Sequence, residues 1–234
     1  MSPATQVKHK ITETSIEVRL GAILLPGDLA IPEETTGIVL FAHGSGSSRH
    51  SPRNRFVARM LQERGLGTLL FDLLTMEEEA HDRIAAHLRF DIHYLTRRLV
   101  GATDWVRQNA ATRALHLGYF GASTGAAAAL VAATQRVDDV AAIVSRGGRP
   151  DLAGKALAKV KAPTLLIVGG DDEPVLGMNR EAYTALGCAK KELVVVPGAT
   201  HLFEEPGTLE QVGKEAGEWF ARFLMGENPV IATL

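Results

Sequence analysis

Cysteine is almost absent from this chain of 234 residues, in which Cys188 is the one example. A single cysteine excludes an internal disulfide and a cysteine-rich metal site. The net charge is −2, which excludes the broad positive surface that attracts nucleic acids or anionic membranes. No apolar run is long enough to span a membrane, and residues 1–10 lack the apolar core of a signal peptide. We therefore expect no nucleic-acid partner, no membrane partner and a cytoplasmic location.

The remaining composition is that of an ordinary globular protein. Hydrophobic residues make up 46% of the chain and charged residues 22%. This length and this apolar content suit one α/β domain with a core on both sides of a sheet. We expect a single domain over residues 1–234.

Buried strands alternate with helical segments along most of the chain. Six continuous apolar runs predict strands, at 38–42, 68–71, 116–120, 140–144, 164–168 and 192–196. Helical spacing of apolar residues occurs between or after them, at 54–64, 92–107 and 208–225. Wholly apolar strands separated by helices are typical of a mostly parallel sheet that helices cover on both faces. The sequence therefore predicts a three-layer α/β/α sandwich.

Three segments lie outside this alternation. Residues 16–24 alternate apolar and polar, which predicts an antiparallel strand or hairpin that ends at the turn-forming residues 26–28. Residues 75–89 are highly charged, predict no clear element and are the best candidate for a mobile flap. The stretch between the strands at 140–144 and 164–168 has room for little more than one helix. We therefore expect no large cap domain and an open pocket that suits small, soluble acyl substrates.

Ser123 lies at a predicted strand-to-helix turn, within the sequence G-A-S-T-G of residues 121–125. A serine between small residues in this setting is typical of a nucleophile elbow. The small neighbours permit a tight, strained turn that raises the hydroxyl above the sheet. The N–H groups that begin the helix then face any developing oxyanion. The alternative is a turn whose small residues only let the helix pack closely on the strand.

A catalytic Ser123 needs a general base, because a free hydroxyl is a poor nucleophile at neutral pH. Of eight histidines, His43 and His201 follow the carboxyl end of a predicted strand, where sites in parallel sheets gather. His201 follows the last strand, so we predict it as the base, and we expect His43 to support the neighbouring glycine turn. The acidic residues 171–173 end the intervening strand. Among them Asp172 is the predicted partner of His201, the alternative being a solvated acidic turn.

Four motifs, taken in their order, resemble the α/β-hydrolase superfamily and in particular its dienelactone-hydrolase-like members. They are F-A-H-G-S-G at 41–46, G-A-S-T-G at 121–125, G-G-D-D-E-P-V at 169–175 and G-A-T-H at 198–201. The likeness extends over most of the chain. One departure concerns the nucleophile, which is a cysteine in dienelactone hydrolase itself and a serine at position 123 here. Dienelactone is therefore not the expected substrate.

The resemblance implies a role for each matching residue. Ser123, His201 and Asp172 correspond to the nucleophile, base and acid of a catalytic triad. The backbone N–H groups of Thr124 and Ser45 correspond to the two donors of an oxyanion hole. The resemblance implies no metal and no cofactor. A phosphate-binding loop is disfavoured at residues 43–48, because the lysine that ends such a loop is missing.

Basic residues follow the predicted oxyanion loop. Arg49, Arg53 and Asn54 belong to this loop or to the start of the next helix, and Arg146 follows another strand. We predict that one or more of them bind a carboxylate or phosphate of the substrate. The alternative is that these arginines only form ordinary surface salt bridges.

The sequence as a whole predicts a serine hydrolase that cleaves a small ester or related acyl compound. One alternative keeps the same triad but transfers the acyl group to an alcohol or thiol, or acts on a C–C bond. Another is a non-catalytic member of the fold that binds a small molecule. The ordered Ser, Asp and His disfavour that last alternative.

Overall fold

One eight-stranded sheet, with helices on both faces, organises residues 10–226, the part of the chain that the computed structural model describes. Its strands are β1 (Ile11–Leu20), β2 (Ile23–Pro32), β3 (Gly37–Ala42), β4 (Gly67–Phe71), β5 (His116–Ala122), β6 (Val140–Arg146), β7 (Thr164–Gly169) and β8 (Lys191–Val196). The α-helices are α1 (Pro52–Glu63), α2 (Met76–Ala85), α3 (Ile92–Gln108), α4 (Thr124–Gln135), α5 (Glu173–Ala185) and α6 (Thr208–Leu224). Short 3₁₀ helices cover Leu88–Phe90 and Pro150–Lys159.

The strands are ordered β1-β2-β4-β3-β5-β6-β7-β8, and those from β4 to β8 in this order run parallel. Strands β3, β4 and β7 are buried along their whole length and largely apolar because helices cover both of their faces. The edge strand β8 begins with Lys191 and Glu192 and is only partly buried. In β3, Leu40 packs into the core under α3 and α4, whereas Phe41 packs into the core under α1 and α6. The predicted sandwich is confirmed. Between β6 and β7 there are two short 3₁₀ segments, separated by a kink at Gly154, and no cap domain, as expected.

The first two strands form the predicted hairpin, but the predicted end at residues 26–28 is wrong. The chain reverses at Gly21, whose φ is +64°, and β2 continues to Pro32. Gly27 pairs with Phe71 of β4 inside the sheet. The carbonyl of Pro26 accepts the Asp72 N–H just beyond the end of β4. Proline lacks the N–H that would face Asp72 on the same side, so the interruption falls where β4 has already ended, and the pairing with β1 continues through Pro26.

The charged segment 75–89 forms a helix and a 3₁₀ turn that sequence reasoning missed. Thr75 and Glu78 make a capping box at the start of α2. Glu78 also accepts hydrogen bonds from Tyr94 and Arg98 of α3. The buried Asp82 accepts from the Leu88 N–H and from Arg89 Nε, both at 2.6 Å. The acidic residues here cap and pair, so their charge does not oppose helix formation.

Close packing at the turn after β5 explains its two glycines. A Cβ built on Gly121 would lie 2.4 Å from Ala126 Cα, and one on Gly125 would lie 2.1 Å from the Ala42 carbonyl oxygen. Both contacts involve backbone atoms, which cannot swing aside as a flexible side chain can. Helix α4 therefore sits directly against β3 and β5 because neither glycine carries a side chain.

Replacing Gly125 with alanine is expected to lower the free energy of unfolding by about 3 kcal/mol, because the new methyl group overlaps the Ala42 carbonyl. Urea unfolding followed by circular dichroism measures the change. Gly177→Ala in the middle of α5 is the matched control, since a Cβ there meets nothing within 4 Å. This control is expected to gain about 0.5–1 kcal/mol from helix propensity. Equal effects of the two changes would contradict the packing argument.

Candidate active site

Ser123 is the residue that joins β5 to α4 at the carboxyl edge of the sheet. It has φ 50° and ψ −123°, a left-handed φ that costs a non-glycine residue about 1–3 kcal/mol. The tight packing of Gly121 and Gly125 on either side imposes this conformation. The result is a half-buried serine at the N-terminal end of α4, where backbone N–H groups lack helical partners.

His201 and Asp172 meet although they come from different loops. His201 follows β8, Asp172 is the N-cap of α5, and His201 Nδ1 lies 2.7 Å from Asp172 Oδ2. A carboxylate only accepts hydrogen bonds, so Nδ1 carries a hydrogen, and in the neutral imidazole Nε2 then keeps a lone pair. The neighbouring acids Asp171 and Glu173 are exposed. Among the three predicted candidates, the structure brings Asp172 to the histidine.

The loop that follows β6 touches both Ser123 and His201. The Ser123 N–H donates to the Arg146 carbonyl at 3.4 Å, and the Arg149 N–H donates to the Ser123 carbonyl at 3.0 Å. A Cβ built on Gly147, in the same loop, would lie 3.7 Å from His201 Cε1. The hydrogen bonds of residues 10–226 include the one between His201 and Asp172 but none between Ser123 and His201. Such contacts are often long without substrate and tighten when it binds.

The loop after β3 packs against the serine turn. A Cβ built on Gly44 would lie 3.0 Å from Ser123 Cβ. The next residue, Ser45, donates its backbone N–H to Thr124 Oγ1 at 3.0 Å. The structure therefore brings Ser45 and Thr124 together beside Ser123, with the Ser45 N–H already held by a hydroxyl. The sequence contains both residues but does not reveal this hydrogen bond.

His43 supports the neighbouring glycine turn, as the sequence predicts. Its Nε2 accepts the Leu73 N–H at 3.0 Å, so Nδ1 carries the hydrogen and donates to the Gly44 carbonyl at 3.0 Å. Burial lowers the pKa of His43 below its usual 6.5. A neutral imidazole thus connects the loops that follow β3 and β4.

The predicted binding arginines separate into two groups. The backbone N–H of Arg49 donates to Asp72 Oδ1 at 2.8 Å and its Nη1 donates to Asp72 Oδ2, so the side chain is engaged within the protein itself. Arg53, Asn54 and Arg146 lie together near the start of α1, where Arg146 Nη2 donates to Asn54 Oδ1 at 3.1 Å. The structure therefore keeps three of the four residues as candidates and gives Arg49 a structural ion pair.

Sequence reasoning missed Phe203, which lies two residues beyond His201. It is buried at a φ of 56°, a strained conformation for a bulky side chain, and its ring centre lies 5.8 Å from the Arg146 guanidinium carbon. No short motif marks such a residue, because its conformation depends on what the loop packs against.

A cavity of about 170 Å³ lies between the loop after β3 and helix α2. Ser45, Ser47 and Leu74 line one part, and Arg83 and Arg89 line another. The charged segment 75–89 thus forms one wall beside the site. Its lining comes from several distant stretches of chain, so spacing in the sequence could not reveal it.

Metal ligands are not grouped in residues 10–226: no three His, Cys, Asp or Glu side chains there are placed to hold a metal ion. The same residues contain no helix that is both long and apolar enough to cross a membrane. The thiol of Cys188 is buried.

Known proteins resemble this chain over nearly its whole length. A model of the Dienelactone hydrolase family matches residues 25–224. A crystal structure of a dienelactone hydrolase from Anabaena variabilis is 60% identical, with a TM-score of 0.90, and covers 92% of this chain and 100% of that one. The esterase Pf2001 of Pyrococcus furiosus has the same fold, with a TM-score of 0.72 at 18% identity over 92% of both chains. These matches support a hydrolase of ester substrates.

One relative is named as a transferase and not as a hydrolase. It is a putative phosphoribosyl transferase of Mycobacterium tuberculosis, 55% identical over 219 residues, which are 94% of this chain and 48% of the relative. The chain therefore spans about half the length of this relative. The part in common includes nearly all of the residues that the family model matches.

Proposed function

Because the chain belongs to the Dienelactone hydrolase family, we propose that it is a serine hydrolase that cleaves a small ester or related acyl compound. The observation that carries the proposal is the 2.7 Å contact between His201 Nδ1 and Asp172 Oδ2, on a loop that lies beside the strained Ser123. A histidine fixed in this tautomer, next to a serine raised above the sheet, has the form of an activated nucleophile.

Acylation begins when Ser123 Oγ attacks the carbonyl carbon of the substrate. His201 Nε2 takes the hydroxyl proton, and Asp172 stabilises the imidazolium that results. As the tetrahedral intermediate collapses, His201 returns this proton to the leaving-group oxygen. An alcohol departs and the acyl group stays on Ser123.

Two backbone N–H groups stabilise the oxyanion. The Thr124 N–H belongs to the first turn of α4 and has no partner within the helix. The Ser45 N–H donates to Thr124 Oγ1 at 3.0 Å in this structure, and the substrate oxygen takes over this acceptor position during the reaction. Each such donor contributes about 10²–10³ in rate.

Deacylation reverses these roles. A water molecule attacks the acyl carbonyl, His201 Nε2 accepts a proton from it, and the same donors hold the second oxyanion. Ser123 leaves with the proton from His201, and a carboxylic acid is released. No metal or cofactor takes part in these steps.

The phosphoribosyl transferase name belongs to a protein of which this chain spans about half. The hydrolase family model matches residues 25–224 of this chain, and on that ground we propose hydrolysis rather than phosphoribosyl transfer at Ser123. Acyl transfer to an alcohol or thiol differs from hydrolysis only in the acceptor. Product analysis with competing acceptors separates the two.

Covalent labelling tests the proposal directly. A fluorophosphonate probe is expected to react once per chain, because activated Ser123 displaces fluoride from phosphorus. Peptide mass spectrometry is expected to place the adduct on Ser123. Absence of labelling, or an adduct on another residue, would overturn the proposal.

A further inference from the structure

Arg146 is a buried cation without an acidic partner. It is the last residue of β6, shares a face with Val144 and is only 5% exposed. Its Nη2 donates to the neutral Asn54 Oδ1 at 3.1 Å, and its buried Nε has no hydrogen-bond partner. Among residues 10–226 no carboxylate lies within 4.0 Å of its guanidinium.

A second arginine adds to this positive charge. Arg53, in the first turn of α1, also has a buried Nε without a hydrogen-bond partner. Its Nη1 contacts Glu204 at 3.0 Å, but the Glu204 side chain is 64% exposed and its charge is well screened. Burial and the nearby charge of Arg53 lower the pKa of Arg146 to about 10. Arg146 therefore remains cationic at neutral pH.

Folding does not require this arrangement. A buried charge without a partner destabilises a protein, and an apolar side chain of similar volume is often better tolerated. Nearby arginines have acidic partners: Arg49 pairs with Asp72, although its Nε also lacks a hydrogen-bond partner, and Arg149 pairs with Asp151 at 2.8 Å. The exception at Arg146 therefore needs an explanation outside packing.

Arg146 lies close to the residues that are proposed to react. Its backbone carbonyl accepts the Ser123 N–H. Its guanidinium carbon lies 5.8 Å from the ring centre of Phe203, two residues beyond His201. Its side chain ends at the N-terminal turn of α1, whose dipole also favours an anion. The buried charge thus lies between the Ser123 turn, the His201 loop and α1.

We propose that Arg146 and Arg53, together with the Asn54 side chain, bind a negatively charged carboxylate or phosphate group carried by the ester substrate. An anion that reaches the Nε atoms supplies the acceptors that these guanidinium groups lack. This inference rests on the proposed function, because it assigns the anion to the substrate of Ser123.

Anion binding can be measured without any reaction. Inorganic phosphate, and separately succinate, are expected to raise the Tm of the wild-type protein more than potassium chloride of equal ionic strength. Arg146→Met is expected to weaken the binding of the anion that raises the Tm by about 10-fold to 100-fold. Arg149→Met removes the same charge from the same loop and is the matched control, expected to keep the wild-type shift. Arg53→Met tests the site from α1 if the Arg146 variant does not fold.

The outcome that overturns the site is a Tm shift that is the same in the wild type and in the Arg146→Met or Arg53→Met variants. A shift that potassium chloride reproduces also overturns it, because it shows only a general salt effect.

Kinetics then assign the anion to the substrate. The p-nitrophenyl monoesters of succinate and of 3-phosphonopropionate carry a carboxylate and a phosphonate, and methyl p-nitrophenyl succinate is their neutral counterpart. We expect the wild type to prefer one anionic ester over the neutral ester by about 10-fold to 100-fold in kcat/KM. The preferred ester shows whether the site binds a carboxylate or a phosphonate. Arg146→Met is expected to bring this ratio close to one, and Arg149→Met to keep it.

The anion site and the hydrolase activity of Ser123 are disproved by different results. Equal kcat/KM for neutral and anionic esters in the wild type would overturn the assignment of the anion to the substrate and leave the hydrolase intact. Turnover of every ester that persists in Ser123→Ala would overturn the proposed function. A phosphate or succinate shift that depends on Arg146 would still establish the anion site in that case, but not its link to Ser123.

Discussion

Replacing Ser123 with alanine is expected to lower kcat for p-nitrophenyl acetate by about 10⁴-fold to 10⁶-fold. Alanine has no atom that can form the acyl-enzyme, and His201 and the backbone donors alone give only weak rate enhancement. Steady-state release of p-nitrophenol measures the loss. Circular dichroism and Tm of the variant show whether the strained turn, with its φ of 50°, still forms.

The matched control for this variant is Ser145→Ala. Ser145 lies in the neighbouring strand β6, and its buried hydroxyl has no hydrogen-bond partner. Its removal is expected to change kcat less than threefold, since neither a contact nor a nucleophile is lost. If Ser123→Ala keeps wild-type turnover, or if both variants lose it equally, Ser123 is not the nucleophile.

Replacing Asp172 with asparagine is expected to lower kcat by about 10⁴-fold. The amide preserves the size of the side chain but removes the charge that stabilises the imidazolium. Its NH₂ group also favours the tautomer in which His201 Nδ1 accepts and Nε2 carries the hydrogen. That tautomer cannot take a proton from Ser123. Initial rates at pH 7 to 8 with the same ester measure the effect.

Asp171→Asn is the matched control at the adjacent position. Asp171 is exposed, and its backbone N–H donates to the Ala199 carbonyl, a contact that the substitution preserves. We expect activity close to that of the wild type. A large loss from Asp171→Asn with little loss from Asp172→Asn would contradict the assignment of the acid.

The fold could be predicted from local sequence because the apolar or polar composition of each strand reflects how deeply that strand is buried. Leu40 and Phe41 of β3 point to opposite cores, so an uninterrupted apolar run already implies a sheet covered on both faces. The turn at Ser123 could also be predicted from the sequence, because its two glycines permit the close packing of α4 that the structure contains. The order of the motifs then indicated which loops would meet at one edge.

Contacts between distant loops were not predictable in the same way. Arg49 pairs with Asp72, and Arg146 meets Asn54 across 92 positions of sequence. Which arginine finds an acid depends on the register of neighbouring strands and on loop conformation. The continuation of β2 through Pro26 was missed for a similar reason, since it depends on where the neighbouring strand β4 ends.

The neutral imidazole of His43 makes the protein sensitive to mild acid. Because burial holds the pKa of His43 below 6.5, the unfolded chain takes up a proton at a higher pH than the folded protein does. This residue therefore costs no stability well above pH 6.5 and progressively more as the pH falls towards its folded pKa. Protonation of Nε2 also removes the acceptor for the Leu73 N–H. Acid inactivation is thus expected to begin by loosening the loop that holds Ser45.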